Sequence, residues 1–237
     1  MSGHSKWKQI KRQKGVSDQK KGKIFSKIIH AVTIAAKEGG GDPAVNFKLR
    51  LAIEKARAVN MPQDNIERAI KKATEGSASQ LESIIYEVYG PAGLALLVEA
   101  LTDNRNRTTG EIKNILTKSG GRLGEVNSVK WLFEEKGVIK INRGKNSPEE
   151  IELESIDAGA EDIQMEENEL IVMTKKEDCQ KIKNKLAEKY EITEAEITMV
   201  PKNTIIVDDD DKLIQIQNFI EKLEEQEDVS QVYNNIG

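Results

Sequence analysis

The sequence is poor in the residues that carry most covalent and metal chemistry: one cysteine, Cys179, and two histidines, His4 and His30, among 237 residues. A lone thiol closes no internal disulfide, and no second thiol stands at metal-ligand spacing, so a reducing compartment fits best. Neither histidine lies beside a Ser or Cys nucleophile motif, which argues against triad-type hydrolysis. Aromatic residues make up only 4%, so the cores must be built from Ile, Leu, Val and Ala. No apolar run approaches the roughly 20 residues of a membrane span, and the stretch from Lys6 to Lys14 is not followed by the apolar block of a secretory signal. The expected location is cytoplasmic. Neither Gly39-Gly40-Gly41 nor Gly120-Gly121 continues into Gly-Lys-Ser/Thr or G-x-G-x-x-G, so nucleotide binding has no support. No cofactor, metal or small-molecule substrate is expected.

What the chain does have is charge, unevenly placed. Charged residues are 32% of the total and the net charge is −4. The first 27 residues nonetheless hold eight lysines and one arginine against a single acid, Asp18. Residues 1–76 carry 17 Lys+Arg against 7 Asp+Glu, whereas residues 77–237 carry 19 against 33. Such asymmetry predicts one part that seeks phosphate and one that repels it. Between Lys6 and Lys23 the only aliphatic residues are Ile10 and Val16, too few to offset the entropy of ordering a backbone, so part of this arm is expected to be mobile when free. Lysine and arginine displace condensed counterions from phosphates, and an indole can stack on a base. The candidate nucleic-acid contacts are therefore Lys6, Trp7, Lys8, Lys11, Arg12, Lys14, Lys20, Lys21, Lys23 and Lys27. The competing reading is that a charge run is only solvated surface.

Three amphipathic helices follow. Phe25, Ile28, Ile29, Val32 and Ala36 repeat at helical spacing up to Gly39-Gly40-Gly41; Leu49, Ala52, Ile53 and Ala56 repeat next; a third helix opens at Pro62 with Ile66, Ala69, Ile70 and Ala73. None can bury its stripe alone, so a small bundle is expected, ending in the linker Glu75 to Gln80.

From Ile84 the pattern turns to strands: Ile84 to Tyr89, the turn Gly90-Pro91-Ala92-Gly93, then Leu94 to Leu101. A helix carrying Ile112, Ile115 and Leu116 follows, with capping-box spacing at Thr108 and Glu111 and a C-cap at Gly120-Gly121. Val129 to Phe133 and Val138 to Ile141 read as a hairpin or as strands flanking a domain crossing. Residues 138–200 then run strand, helix (148–158), strand (162–166), strand (169–174), helix (177–188), strand (196–200), the order of a ferredoxin-like unit. Strand Thr204 to Val207, helix Lys212 to Glu225 and strand Val229 to Tyr233 complete the layer begun at Ile84. The expected class is α+β: a three-helix bundle (1–78), a discontinuous α+β domain (79–134 plus 202–237), and a ferredoxin-like domain (135–201) inserted into it.

Arg105 and Arg107 fall beside the start of a helix, whose unpaired N–H groups favour an anion, and together they would make a compact phosphate site. The alternatives are that they pair with the acidic second domain, or that Asn104 and Asn106 only shape a turn. The run Asp208-Asp209-Asp210-Asp211 lacks the glycine and distal glutamate of a calcium loop, so a helix cap explains it more simply than a metal. Cys179 reads as an ordinary thiol in a polar helix.

Several ordered blocks carry a resemblance: Gly3-His-Ser-Lys-Trp7, Gly22-Lys-Ile-Phe25, Gly39-Gly-Gly-Asp-Pro43, Asn60-Met-Pro62, Asp64-Asn-Ile-Glu-Arg-Ala-Ile70, Tyr89-Gly-Pro91, Leu101-Thr-Asp-Asn-Arg-Asn-Arg-Thr108 and Gly120-Gly121. In these the chain closely resembles the YebC/PmpR family, with small departures at Gly124-Glu-Val-Asn-Ser128 and only a likeness of pattern in the last third. The resemblance implies three domains, no enzyme activity, and a DNA-binding transcriptional regulator. Because mitochondrial relatives act as translational activators, it also implies an alternative, a ribosome-associated, RNA-binding translation factor whose partners are ribosomal or transfer RNA and the ribosome. No helix presents an obvious set of base-reading side chains, so any specificity is expected to come from shape.

Overall fold

A computed structural model describes residues 18–74, 81–166 and 168–237, without the side chains of residues 18–21 and 23. In chain order the elements are α1 (Asp18–Gly39), α2 (Phe47–Ala58), α3 (Gln63–Thr74), β1 (Glu82–Tyr89), β2 (Ala95–Thr102), α4 (Arg105–Ser119), β3 (Arg122–Leu123) and β4 (Phe133–Asn142). They continue with α5 (Pro148–Ala158), β5 (Asp162–Met165), β6 (Glu169–Lys175), α6 (Cys179–Ala187), β7 (Glu191–Pro201), α7 (Asp210–Glu224) and β8 (Val229–Asn234). The class is α+β. The chain divides into two compact units, residues 1–133 with 201–237, and residues 134–200.

The helical region of the first unit forms because three short stripes share one core. Val32, Leu49, Ala56 and Ile66 are fully buried, and each large aliphatic side chain so placed contributes about 1.5–3 kcal/mol. The alanines at positions 35, 36, 56 and 69 of that cluster let the helix axes approach closely. Asn46 fixes the corner between α1 and α2. Its Oδ1 accepts from the Leu49 N–H at 3.0 Å, capping α2, while its Nδ2 donates to the Ala35 and Gly40 carbonyls at 2.8 Å each. A side chain at Gly39 would run into that amide, so the glycine is there for close approach. α1 is also longer than its stripe, starting at Asp18, well ahead of Phe25.

The rest of the first unit is a four-stranded sheet in the order β3-β1-β2-β8, with antiparallel neighbours. Alternate residues of β1 and β2, among them Val88, Leu96 and Val98, face α4 and α7 and pack around Phe219, Ile112 and Leu116. Leu97, on the other face of β2, is equally buried, and α1 lies against β8. The Lys37 ammonium, near the end of α1, donates to the Leu81 carbonyl just before β1.

The second unit has the strand order β5-β6-β4-β7. β6 lies antiparallel between β4 and β5, and α5 packs with α6 over a core that includes Ile139, Ile141, Ile151, Leu170 and Ile182. This is the ferredoxin-like order.

Four local expectations are corrected. The helix bearing Ile112 starts at Arg105, with Asn104 as N-cap accepting from the Arg107 N–H at 3.1 Å; Thr108 sits inside the helix, so the Thr108/Glu111 spacing is no capping box. Of Val129 to Phe133 only Phe133 is in a strand, as the first residue of β4: Lys130–Leu132 form a 3-10 turn, because a buried carboxylate described below takes N–H groups a ladder would need. Thr204 to Val207 is reduced to one parallel bridge, Ile205 with Ile236. The strand expected at 196–200 begins at Glu191, where Asn142 of β4 donates to Glu191 Oε2 at 2.7 Å and Lys140 pairs with Glu194.

Candidate nucleic-acid interface

Of the candidate contacts, Lys6, Trp7, Lys8, Lys11, Arg12 and Lys14 lie outside the described residues. Lys20, Lys21, Lys23 and Lys27 all fall within α1. The cationic segment therefore feeds into a regular helix that continues to Gly39 and shares the bundle core.

Arg105 and Arg107 occupy the first turn of α4, where the helix dipole alone disfavours cations. Arg107 is held there by acids: its guanidinium reaches Asp103 at 3.0 Å and both oxygens of Asp228 at 3.1 and 3.2 Å. Asp228, and secondarily Asp103, raise the Arg107 pKa. Burial pushes the Asp228 carboxyl up, but hydrogen bonds from Thr108, Arg107 and Gln226 outweigh it and leave the group below its ordinary value. Arg105 stands exposed on the same turn. The two arginines thus share a site but not a role, since only Arg107 has its charge matched within the fold.

This corner meets the bundle at His30. Its Nδ1 lies 3.5 Å from the Ser230 hydroxyl of β8. Burial lowers the His30 pKa; Asp228 opposes that, and the charges of Lys27 and Lys72 add to it. Lys27, Lys72, His30, Asp228 and Arg107 are therefore electrostatically linked along the seam between α1 and β8, although they are spread through the sequence.

A second constellation escaped the sequence reading. Glu87, on β1, is buried yet ionised in character: its carboxylate accepts from the backbone N–H groups of Asn127 (2.5 Å), Val129 (2.5 Å) and Lys130 (2.7 Å). Burial raises its pKa, and the three N–H donors more than reverse that, leaving it lowered. The loop after β3 is thereby wrapped around one side chain. On its outside stand Val126 and Trp131, the latter 63% exposed. The only sequence signal for it was one of two tryptophans lying next to a lysine.

Comparison with known proteins bears on the whole chain. Residues 5–76 match the model of the TACO1/YebC N-terminal domain, and residues 81–236 match that of the TACO1/YebC second and third domains. The chain belongs to the TACO1/YebC family. It is 49% identical over 239 residues to "Probable transcriptional regulatory protein Teth39_1009" of Thermoanaerobacter pseudethanolicus, covering 100% of this chain and 97% of the relative. It is 47% identical over 238 residues to "Probable transcriptional regulatory protein YrbC" of Bacillus subtilis, covering 99% of each. The crystal structure of conserved hypothetical protein Aq1575 from Aquifex aeolicus superposes with a TM-score of 0.84 at 41% identity, covering 96% of this chain and 95% of that one.

The TACO1/YebC family is not one of enzymes. In this member, Asp209 caps α7, its Oδ1 accepting from the N–H groups of Asp211 (3.0 Å) and Lys212 (3.2 Å); the Lys212 N–H chiefly lowers its pKa. The aspartate run thus has a structural task. Cys179, the first residue of α6, is buried against Gly137 and Thr174, and burial raises its pKa, the reverse of what a reactive thiolate requires. Gly120 takes the left-handed conformation, φ 79°, that ends α4, and Gly121 packs against Phe219. No helix among the described residues is long and apolar enough to cross a membrane.

Proposed function

We propose that this TACO1/YebC-family chain is a non-enzymatic, cytoplasmic, nucleic-acid-binding regulator of gene expression, and that its target is DNA. The observation that carries this reading is the charge division: residues 1–76 have a balance of +10 and the remainder −14, with nine of the cations inside the first 27 residues. Lys6, Lys8, Lys11, Arg12, Lys14, Lys20, Lys21, Lys23 and Lys27 neutralise phosphates, Trp7 stacks or packs beside them, and Arg105 adds a contact at the head of α4. Arg107 serves the same surface by fixing the turn that carries Arg105. Labour is divided in three: residues 1–78 grip the polymer, residues 79–134 with 202–237 orient it, and residues 135–201 repel it by charge and meet other partners. The printed names of the relatives, probable transcriptional regulatory proteins, support the DNA reading.

A second reading, an RNA-binding translation factor on the ribosome, is favoured by one observation: the exposed Trp131 on a clamped loop suits an unpaired base, which a duplex does not offer. In-cell crosslinking followed by sequencing of the attached nucleic acid separates the two. Discrete promoter DNA supports the first; predominant ribosomal or transfer RNA replaces it with the second; recovery of neither overturns both.

A further inference from the structure

We propose that Trp131 is a preorganised stacking platform for an unpaired nucleobase of single-stranded nucleic acid, with Lys130, Arg122 and Lys202 receiving the flanking phosphates. The proposal rests on the nucleic-acid-binding reading above and assigns it a second contact, remote in sequence from the basic arm.

Large aromatic side chains are normally buried, and Trp131 is not, although the residues beside it, Val129 and Phe133, are. Its indole is nonetheless fixed. The Nε1–H donates to the Ser128 carbonyl at 3.0 Å, and the Tyr89 hydroxyl donates to the same oxygen at 2.9 Å. The polar edge of the ring is therefore satisfied within the protein, and what remains for solvent is apolar ring surface. The backbone beneath it is set before any ligand arrives. Glu87 binds the N–H groups on either side of Ser128, Asn127 holds a left-handed φ of 65°, and the Gly124 N–H donates to the Glu87 carbonyl at 2.7 Å. A platform that needs no ordering loses little entropy on binding.

The surrounding charge selects the occupant. Lys130 is exposed on the loop and Arg122 on β3 just before it, Arg122 with its guanidinium 4.3 Å above the Tyr89 ring. Lys202, also exposed, is brought alongside by its backbone N–H donating to the Leu132 carbonyl at 2.8 Å. The loop's own acid is the exposed Glu125; Glu87, from β1, is engaged by three N–H donors. An open aromatic face with cations nearby on the chain fits a base between phosphates better than a basic or neutral peptide.

The chain has two tryptophans, so a full-length Trp7→Phe protein reports from Trp131 alone. It is titrated with a dye-labelled twelve-nucleotide single strand and with a duplex of equal length, following both indole emission and dye anisotropy. The expected result is quenching by the single strand, with Trp131→Ala weakening single-strand binding about 5- to 150-fold, the range for loss of one stacked base. Trp131→Phe should restore most of it. Circular dichroism confirms that the variants are folded. Undiminished single-strand binding by Trp131→Ala, seen in the anisotropy, overturns the platform while leaving the nucleic-acid reading standing and hands the surface to a protein partner. No binding of either oligonucleotide by the unsubstituted chain, followed by dye anisotropy, overturns both.

Discussion

The Thr108 hydroxyl donates to Asp228 Oδ2 at 2.6 Å, joining the first turns of α4 to the foot of β8 across 120 residues of sequence. Thr108 is fully buried and lies 2.8 Å from the Thr102 hydroxyl, which in turn accepts from the Asn104 N–H at 2.9 Å. Asp228 thus anchors the cap, the helix and Arg107 together. Thr108→Val keeps the volume and removes the donor; we expect it to cost about 1.5–3 kcal/mol, the range for a hydrogen bond to a charged group. Asp228→Ala should cost more, because it removes the acceptor of the buried Thr108 hydroxyl together with those of Gln226 and Arg107. Denaturant midpoints at constant slope measure both. If Asp228→Ala unfolds at the parental midpoint, the cluster is decorative.

His30 makes the same seam sensitive to pH. Because burial lowers its folded-state pKa, the unfolded chain binds the proton more readily. Stability is then full above the ordinary histidine value of about 6.5 and falls as pH drops through it towards the lower folded value, by at most about 1.4 kcal/mol per pH unit. Unfolding free energies between pH 7.5 and 5.5 should show that slope in the parent and lose it in His30→Gln. The carboxylates Asp228 and Glu87, both lowered, act in a separate and more acidic window.

The helices and the two sheets were legible because their signals are periodic and local: Leu49, Ala52, Ile53 and Ala56 can only share one helical face, and the alternating residues of β1 and β2 one sheet face. The misread pieces were settled by distant partners. Asn104 displaced Thr108 as the cap, although Thr108 and Glu111 have the right spacing, since Thr108 is drawn to Asp228. Val129 and Lys130 left the strand pattern for Glu87, 42 and 43 residues away. Arg105 and Arg107, alike in sequence, were separated only by which one the fold places beside Asp103 and Asp228. No periodicity records such pairings.

Glu87 should prove the organising residue of the Trp131 loop. Replacing it by Gln leaves one acceptor oxygen and turns an NH2 group towards backbone donors, at a cost we expect near 2 kcal/mol. Its lowered pKa fixes the sign: the stabilisation is complete above the ordinary carboxylate range and is lost as pH falls through the folded-state value. In a Trp7→Phe background, Trp131 emission should shift on acid titration in the parent and already be shifted at neutral pH in Glu87→Gln. Identical spectra for the two at neutral pH would show that the loop stands without the carboxylate.

The basic arm is tested by deletion up to Asp18, the first residue of α1, with circular dichroism checking that the shortened chain is folded. Deleting residues 1–17 removes Lys6, Lys8, Lys11, Arg12 and Lys14 and keeps the residues of α1, α2 and α3. Each phosphate neutralised contributes about −0.9 to the slope of log K against log salt on duplex DNA, so five lost contacts should flatten it by up to about 4.5. Lys20, Lys21, Lys23 and Lys27 remain and should keep a residual slope. The binding loss should be uniform across sequences, since phosphate contacts carry no base information. Arg105→Ala should reduce the slope by about one further unit, whereas Arg107→Ala should act through the melting temperature. An unchanged slope after the deletion would remove the arm from the electrostatic contact and leave α1 and α4 as the surface that meets the polyanion.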